Sequence, residues 1–444
     1  MKKLIKTRKL SASQIIMFSF LSVILLGTML LMLPISSRTG KMTSFMDALF
    51  TATSAVCVTG LVVKDTATYW SSFGQALILI MIQIGGMGVI TVAVMLSLVS
   101  GKKIGLKQRQ TMQEAISAPK VGGILKFTRF IVLGMFLIEA LGALILMPVF
   151  IRETHSGKGI WYAIFHSISA FCNAGFDLMG QKAQFSSLTW YQSNPVINIT
   201  IMLLIVIGGL GFLTWDDIVR NKYHFQRYRM QSKMILTTSA VLIVLPALYF
   251  FFCEYQDLSI GSRIFTSLFQ SVTTRTAGFN TADLTTLHDS GKLMMIALMV
   301  VGGSPGSTAG GMKTTTFAVL TVCVMTVLRR RDTIHCYGRR LSNDVVTKAS
   351  SILLMYLALF VTSACVISYI EELPILTALF ETASAVGTVG LTLGITTQLG
   401  LISRLILIGL MFFGRVGGLT LIYAAVSEPG LKGIHYPEEK ITVG

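Results

Sequence analysis

Charge is scarce in this sequence, and negative charge scarcest: 13% of the 444 residues are charged, with 20 Asp and Glu against 37 Lys and Arg. A water-soluble domain carries about 25% charged residues, so composition excludes a soluble enzyme or binding module. Cysteine is sparse too. Cys57, Cys172, Cys253, Cys323, Cys336 and Cys365 form no Cys-x-x-Cys pair, which removes a zinc site and a disulfide framework and leaves small buried hydrophobes as the expectation. His155, His166, His224, His288, His335 and His435 fall at no ligand spacing. Neither a metal cluster nor a nucleophile with its base is expected, so this chain is not read as an enzyme.

Apolar residues fill the space, at 53% of the chain and a mean hydropathy of +0.70. This is the composition of a polytopic membrane protein. The net charge of +17 does not point to nucleic acid, because the basic residues collect in short polar gaps between apolar blocks rather than on a solvated face. Taking alternate gaps puts 25 Lys and Arg on one side: Lys2 to Lys9, Lys102 to Arg129, Arg220 to Lys233, Arg329 to Lys348, and Lys432 and Lys440 in the tail. The positive-inside rule then places both termini in the cytoplasm. The first apolar stretch, Ile15 to Leu33, exceeds a signal-peptide core and ends at Pro34 without a cleavage pattern, so it reads as a retained helix.

A hydrocarbon core about 30 Å thick needs roughly 20 apolar residues in helix. Eight stretches qualify: 14–34, 75–99, 128–151, 195–215, 234–253, 291–328, 347–370 and 401–426. Between the members of each pair lies a segment too short to span, at 45–60, 160–175, 262–278 and 374–390. Each ends in a glycine loop: Val58-Thr59-Gly60, Asn173-Ala174-Gly175, Thr276-Ala277-Gly278 and Thr388-Val389-Gly390. Ten positions before the glycines stand Phe50, Phe165, Leu268 and Phe380; six before them stand Ser54, Ser169, Val272 and Ser384. The expected fold is an all-α polytopic membrane protein of four parallel helix–pore-loop–helix repeats around one pseudo-fourfold central ion pore. The units are 1–100, 101–216, 217–330 with an intramembrane loop at 302–313, and 331–444 with the C-terminal tail.

Irregular backbone at membrane depth is tolerated only where protein buries it or it lines a cavity. Thr388-Val389-Gly390 is the core of the filter sequence whose carbonyls replace the hydration shell of potassium. A half-helix aims the negative end of its dipole at such a loop, which favours a cation. No carboxylate ring adjoins the glycines, so a monovalent ion is expected; Asp177 and Asn280 follow two positions later, at the outer mouth.

The sixth span holds Gly302, Gly303, Ser304, Pro305, Gly306, Ser307, Thr308, Ala309, Gly310 and Gly311, followed by Met312 and Lys313. These glycines and the proline break a helix, so a flexible loop across the pore is expected. Its likeness to a phosphate-binding loop fails because Met312 intrudes before the lysine and no strand precedes it. Milder breaks are expected at Gly85-Gly86-Met87-Gly88, Gly208-Gly209-Leu210-Gly211 and Gly414-Arg415-Val416-Gly417-Gly418. A central arginine in a span usually faces a cavity or a carbonyl-rich partner. Arg415 is therefore expected below the filter, paired with the 302–311 loop as a barrier, with Lys313 anchoring the loop's inner end. Arg275 is expected to point back onto the pore loop's carbonyls, and Glu139 and Glu381 to supply buried counter-charges.

The four-part glycine filter, the phrase Thr-Thr-Arg-Thr-Ala-Gly-Phe-Asn at 273–280, the 302–313 loop and Arg415 together resemble the Trk/Ktr/HKT superfamily of potassium transporters, and within it the bacterial Ktr membrane subunit, KtrB. The resemblance implies K+ uptake across the plasma membrane, often stimulated by Na+. It also implies a membrane homodimer in contact with lipids, a cytosolic ring of nucleotide-binding KtrA-like subunits, and an intramembrane gate at 302–313 beside Arg415. Docking of that ring falls on the basic segments 101–129, 216–233 and 329–348. Gly60 in the first loop, rather than serine, implies potassium rather than sodium. The competing reading is a secondary cation carrier with a midplane site, which predicts two related halves.

Overall fold

The computed structural model describes residues 10–100, 105–116, 122–154 and 157–425. The basic start Lys2 to Lys9, His155, His435, Lys432, Lys440 and parts of the basic segment 101–129 lie outside the described residues.

Each quarter has a long helix, a short helix, a glycine loop and a return helix. In the first these are α1 (Ala12–Met32), α2 (Phe45–Val56) and α3 (Ser72–Met87) with α4 (Val89–Val99); α5 (Leu106–Ala115) follows. The second has α6 (Ile124–Thr154), α7 (Lys158–Phe171) and α8 (Pro195–Gly209) with α9 (Phe212–Asn221). The third has α10 (Met230–Cys253), α11 (Ile260–Thr273), α12 (Asp289–Val300) and α13 (Thr314–Leu328), then a small ribbon, β1 (His335–Cys336) and β2 (Arg339–Arg340). The fourth has α14 (Asn343–Ile370), α15 (Ile375–Gly387) and α16 (Leu401–Val416) with α17 (Gly418–Ala425). We call outer the end where the short helices begin.

Among the described residues, α1, α6, α10 and α14 are long and apolar enough to cross a membrane alone. The return helices α3–α4, α8–α9 and α16–α17 qualify only as pairs, bent by 93°, 100° and 94°. The breaks expected to be mild are thus near right angles. Their cause is one glycine each: Gly88, Gly211 and Gly417 share φ of 83°, 86° and 90° with ψ of 130°, 140° and 132°, a region closed to residues with a Cβ. In the third quarter the same place is occupied by the 302–313 loop, which cuts the return helix in two.

Return helices lie directly on the short ones. A Cβ at Gly85, Gly208 or Gly414 would sit 2.1, 2.0 or 2.1 Å from the carbonyl oxygen of Val56, Phe171 or Val386, so only glycine permits that approach. The first short helix starts with an ordinary cap; the Ser44 hydroxyl accepts the Asp47 N–H at 3.2 Å, and Asp47 lies in the first turn, where negative charge suits the dipole. First and fourth quarters close on each other at both ends. Arg404 pairs with Asp47 at 3.0 Å at the outer end, and Gln14 donates to the Ala424 carbonyl at 3.0 Å at the inner one.

The buried centre corrects the third repeat's register. Leu268 is only partly buried, whereas Phe269 is as inaccessible as Phe50, Phe165 and Phe380. Likewise Thr273, not Val272, takes the place of Ser54, Ser169 and Ser384. The stretch from this position to the glycine is one residue shorter in the third quarter: Ala277 N–H reaches four back to Thr273 at 2.9 Å, while Thr59, Ala174 and Val389 reach five back to Ser54, Ser169 and Ser384, each at 2.8 Å. The cysteines also depart from expectation. Cys57 and Cys172 are buried at the ends of α2 and α7, but Cys253 and Cys365 are exposed on the apolar flanks.

Candidate functional site

All four loops adopt one conformation. The glycines Gly60, Gly175, Gly278 and Gly390 have φ of 96°, 69°, 79° and 93°, and the residues two before them, Val58, Asn173, Thr276 and Thr388, have φ of 56°, 59°, 66° and 51°. Left-handed backbone at alternate positions lets successive carbonyls of a loop face the same side. Residues with a Cβ rarely accept this, and it persists only where the surroundings impose it.

The loops meet in a ring. A Cβ on Gly60 would lie 2.6 Å from the Ala174 carbonyl oxygen, on Gly175 2.8 Å from that of Ala277, on Gly278 2.6 Å from that of Val389, and on Gly390 2.1 Å from that of Thr59. Four contacts therefore run from first to second, third, fourth and back to first. Around the ring the hydroxyls of Thr59, Thr276 and Thr388 are buried with no hydrogen-bond partner among the described residues. Such groups suit a polar species on the axis, since an orphaned buried hydroxyl is otherwise unfavourable. The Asn173 side chain is committed elsewhere: its Nδ2 donates to the Arg275 carbonyl at 3.1 Å.

An outer cavity of about 170 Å³ touches all four loop glycines and is lined by Asp65, Asp177, Asn280 and Thr392. Burial, and to a lesser degree the neighbouring Asp65, pushes the Asp177 carboxyl above the usual carboxylate range. An inner cavity of about 220 Å³ is lined by Gly306, Ser307, Ala309, Lys313 and Arg415. The two share no lining residue, and the 302–313 loop stands between them.

That loop is tightly held rather than free. Gly302 N–H bonds the Met312 carbonyl at 2.8 Å, Gly303 N–H that of Gly310 at 3.2 Å, Ser304 N–H that of Gly209 at 3.0 Å, and Gly311 N–H that of Gly414 at 3.1 Å. The Gly306 carbonyl, next to Pro305, accepts the Phe212 N–H at 2.7 Å. The Thr308 hydroxyl lies 3.1 Å from the Phe171 carbonyl oxygen and 3.0 Å from Asn173 Oδ1. A Cβ on Gly310 would fall 2.2 Å from Thr388 Oγ1, so loop and filter are in direct contact.

Arg415 donates to the carbonyls of Thr308 and Gly85, and at 3.3 Å to that of Gly86. The expected partner in the loop is thus one of three carbonyls. Gly85 and Gly86 were visible as a helix break, and the Gly85 carbonyl there also accepts the Gly88 N–H at 3.1 Å. Lys313 donates to Ala309 at 2.9 Å, within the loop. Arg275 departs from expectation. It turns to the 302–313 loop, donating to the Val301 carbonyl at 2.8 Å and the Thr314 hydroxyl at 2.9 Å, and so clips both ends of the insertion. Among the described residues Glu139 and Glu381 have no cationic partner: Gln83 Nε2 donates to Glu139 at 3.0 and 3.1 Å, and Thr392 and Thr396 donate to Glu381. Nothing in the sequence signalled Ile116, whose carbonyl oxygen would lie 2.6 Å from a Cβ on Gly306.

Comparison with known proteins converges on one family. The TrkH family, described as cation transport proteins, matches residues 2–432. The potassium/sodium uptake protein NtpJ of Enterococcus hirae is 38% identical over all of this chain and 99% of its own length. The Ktr system potassium uptake protein B of Bacillus subtilis is 36% identical, again over all of this chain and 99% of its own. The crystal structure of the potassium transporter TrkH from Vibrio parahaemolyticus has the same fold, with a TM-score of 0.74 over 96% of this chain and 87% of that one at 19% identity. The chain belongs to the TrkH family of cation transport proteins.

Proposed function

We propose that this chain takes up potassium through the ring of four glycine loops. The observation that carries the reading is the shared left-handed conformation of Gly60, Gly175, Gly278 and Gly390 in mutual contact. Potassium sheds its water at the outer cavity and exchanges it for the carbonyl oxygens of residues 58–60, 173–175, 276–278 and 388–390, with the free hydroxyls of Thr59, Thr276 and Thr388 in reach. The C-terminal ends of α2, α7, α11 and α15 add negative potential at this level. Four loops of one conformation favour this pore over a two-halved carrier.

The 302–313 loop and Arg415 form the gate. The loop fills the path beneath the filter, and the guanidinium places positive charge there, a barrier to a cation. Opening requires Arg415 to release the Thr308 carbonyl. The reading extends to a homodimer in the plasma membrane, a cytosolic nucleotide-binding regulator and stimulation by sodium, as the resemblance of the filter and the 302–313 loop to the Ktr branch implies. By the positive-inside rule the basic segments 101–129, 216–233 and 329–348 face the cytoplasm, both termini with them, and these segments are the docking face in this reading. Four units, 1–100, 101–216, 217–330 and 331–444, carry the repeat.

Uptake by a potassium-requiring strain carrying Gly60→Ser or Gly278→Ser tests the filter. The expected result is weaker growth at low potassium and a lower potassium over sodium preference. Unchanged growth and preference in both variants would refute it.

A further inference from the structure

The position after each buried phenylalanine of the short helices carries a polar side chain: Thr51, His166, Gln270 and Glu381, each at most 1% exposed. Polar groups so buried need partners, and the partners differ by quarter. His166 Nε2 accepts the Leu178 N–H at 3.3 Å, and its Nδ1 bonds the Tyr162 carbonyl at 2.7 Å. Glu381 accepts the Thr392 hydroxyl on one oxygen at 2.8 Å and the Thr396 hydroxyl on the other, and the two threonines lie 3.0 Å apart. Leu178, Thr392 and Thr396 all lie just beyond their loop glycines. His166 and Glu381 therefore tie a short helix to the outgoing strand of its own loop.

The other two quarters have no such tie from this position among the described residues, although in the third the Thr273 hydroxyl donates to the Phe279 carbonyl just beyond Gly278. Thr51 bonds the Asp47 carbonyl within its own helix at 2.8 Å, and neither amide atom of Gln270 has a partner among the described residues. Since the loops follow in chain order around the ring, the braced quarters are diagonal to each other. The fourth loop touches both neighbours, through Gly390 on Thr59 and Val389 on Gly278.

We propose that Glu381, acting through Thr392 and Thr396, is a selectivity-determining positioning residue that fixes the fourth loop and hence the spacing of the carbonyl ring. The proposal rests on the filter reading above. Without the brace the strand after Gly390 relaxes, the ring adapts to a smaller ion, and sodium is admitted more readily while the pore still conducts.

The test is the ratio of initial K+ and Na+ uptake rates in cells lacking other potassium uptake, normalised to membrane abundance. Glu381→Leu and Thr396→Val are expected to lower that ratio by about tenfold, the loss of one or two buried hydrogen bonds. Glu381→Gln, which can still bond both threonines, stays within about threefold of the parent. Thr51→Val, at the equivalent unbraced position, leaves the ratio unchanged. If Glu381→Leu fails to accumulate, Thr396→Val, of the same shape as threonine, decides. Parental ratios in Thr396→Val, with a changed ratio in Gly390→Ser, would overturn the brace and leave the filter standing. A parental ratio in Gly390→Ser as well would overturn both. An equal loss in Thr51→Val would mean that the effect is not the brace.

Discussion

Arg415 donates a hydrogen bond to the carbonyl oxygen of Thr308, tying the fourth return helix to the middle of the loop that interrupts the third. The same guanidinium holds Gly85 and Gly86 of the first quarter, so one side chain latches three quarters. Removing it acts on both halves of the proposed barrier, the charge and the latch. Arg415→Ala is expected to raise the initial rate of potassium uptake by about tenfold or more, since hydrogen bonds to a charged group contribute about 1.5–3 kcal/mol each. Arg415→Lys keeps the charge but not the two-sided reach and should fall between. Initial uptake rates, normalised to abundance, check both.

Arg275 gives a different outcome because it clips the ends of the loop rather than its middle. Losing the bonds to Val301 and Thr314 would take its donor from the buried Val301 carbonyl and leave the Thr314 hydroxyl its weaker contact with the Gly302 carbonyl at 3.3 Å. Arg275→Met is therefore expected to lower stability by about 2–4 kcal/mol, read as a lower melting temperature of the detergent-purified protein.

At the bends, the expected effect is on folding and not on ion choice. Gly417 has φ of 90°, and a Cβ there would meet nothing nearer than Thr420 Oγ1 at 3.8 Å. Gly417→Ala should thus lower stability by the torsional cost alone, about 1–3 kcal/mol, with the potassium over sodium preference unchanged. Thermal melting and uptake ratios read the two parts separately.

Within the filter, strain and collision add. A Cβ at Gly390 would come within 2.1 Å of the Thr59 carbonyl oxygen, against 2.8 Å for Gly175 and its neighbour. Gly390→Ala is expected to impair potassium uptake more than Gly175→Ala, each by about tenfold or more. Uptake at low external potassium orders them.

Much of this arrangement was legible in the sequence because it rests on composition and glycine. Apolar length marked the long helices, and the spacing of Gly60, Gly175, Gly278 and Gly390 marked the fourfold repeat. What escaped depends on single residues and on contacts across quarters. The one-residue shortening before Gly278 is invisible when glycines alone are aligned, and it hid Phe269 and Thr273 behind Leu268 and Val272. Gly88, Gly211 and Gly417 read as mild flaws because a sequence does not display φ. The partners of Arg415 come from segments up to 330 residues apart, and no local pattern encodes them.

The central claim is that a monovalent cation rests inside the ring of loop glycines. Crystals grown with thallium, which stands in for potassium and scatters anomalously, test it directly. The account predicts anomalous density on the axis, among the carbonyl oxygens of Thr59, Ala174, Ala277 and Val389, that weakens in Gly390→Ser. Density confined to another site between the helices, with the ring empty, would contradict it.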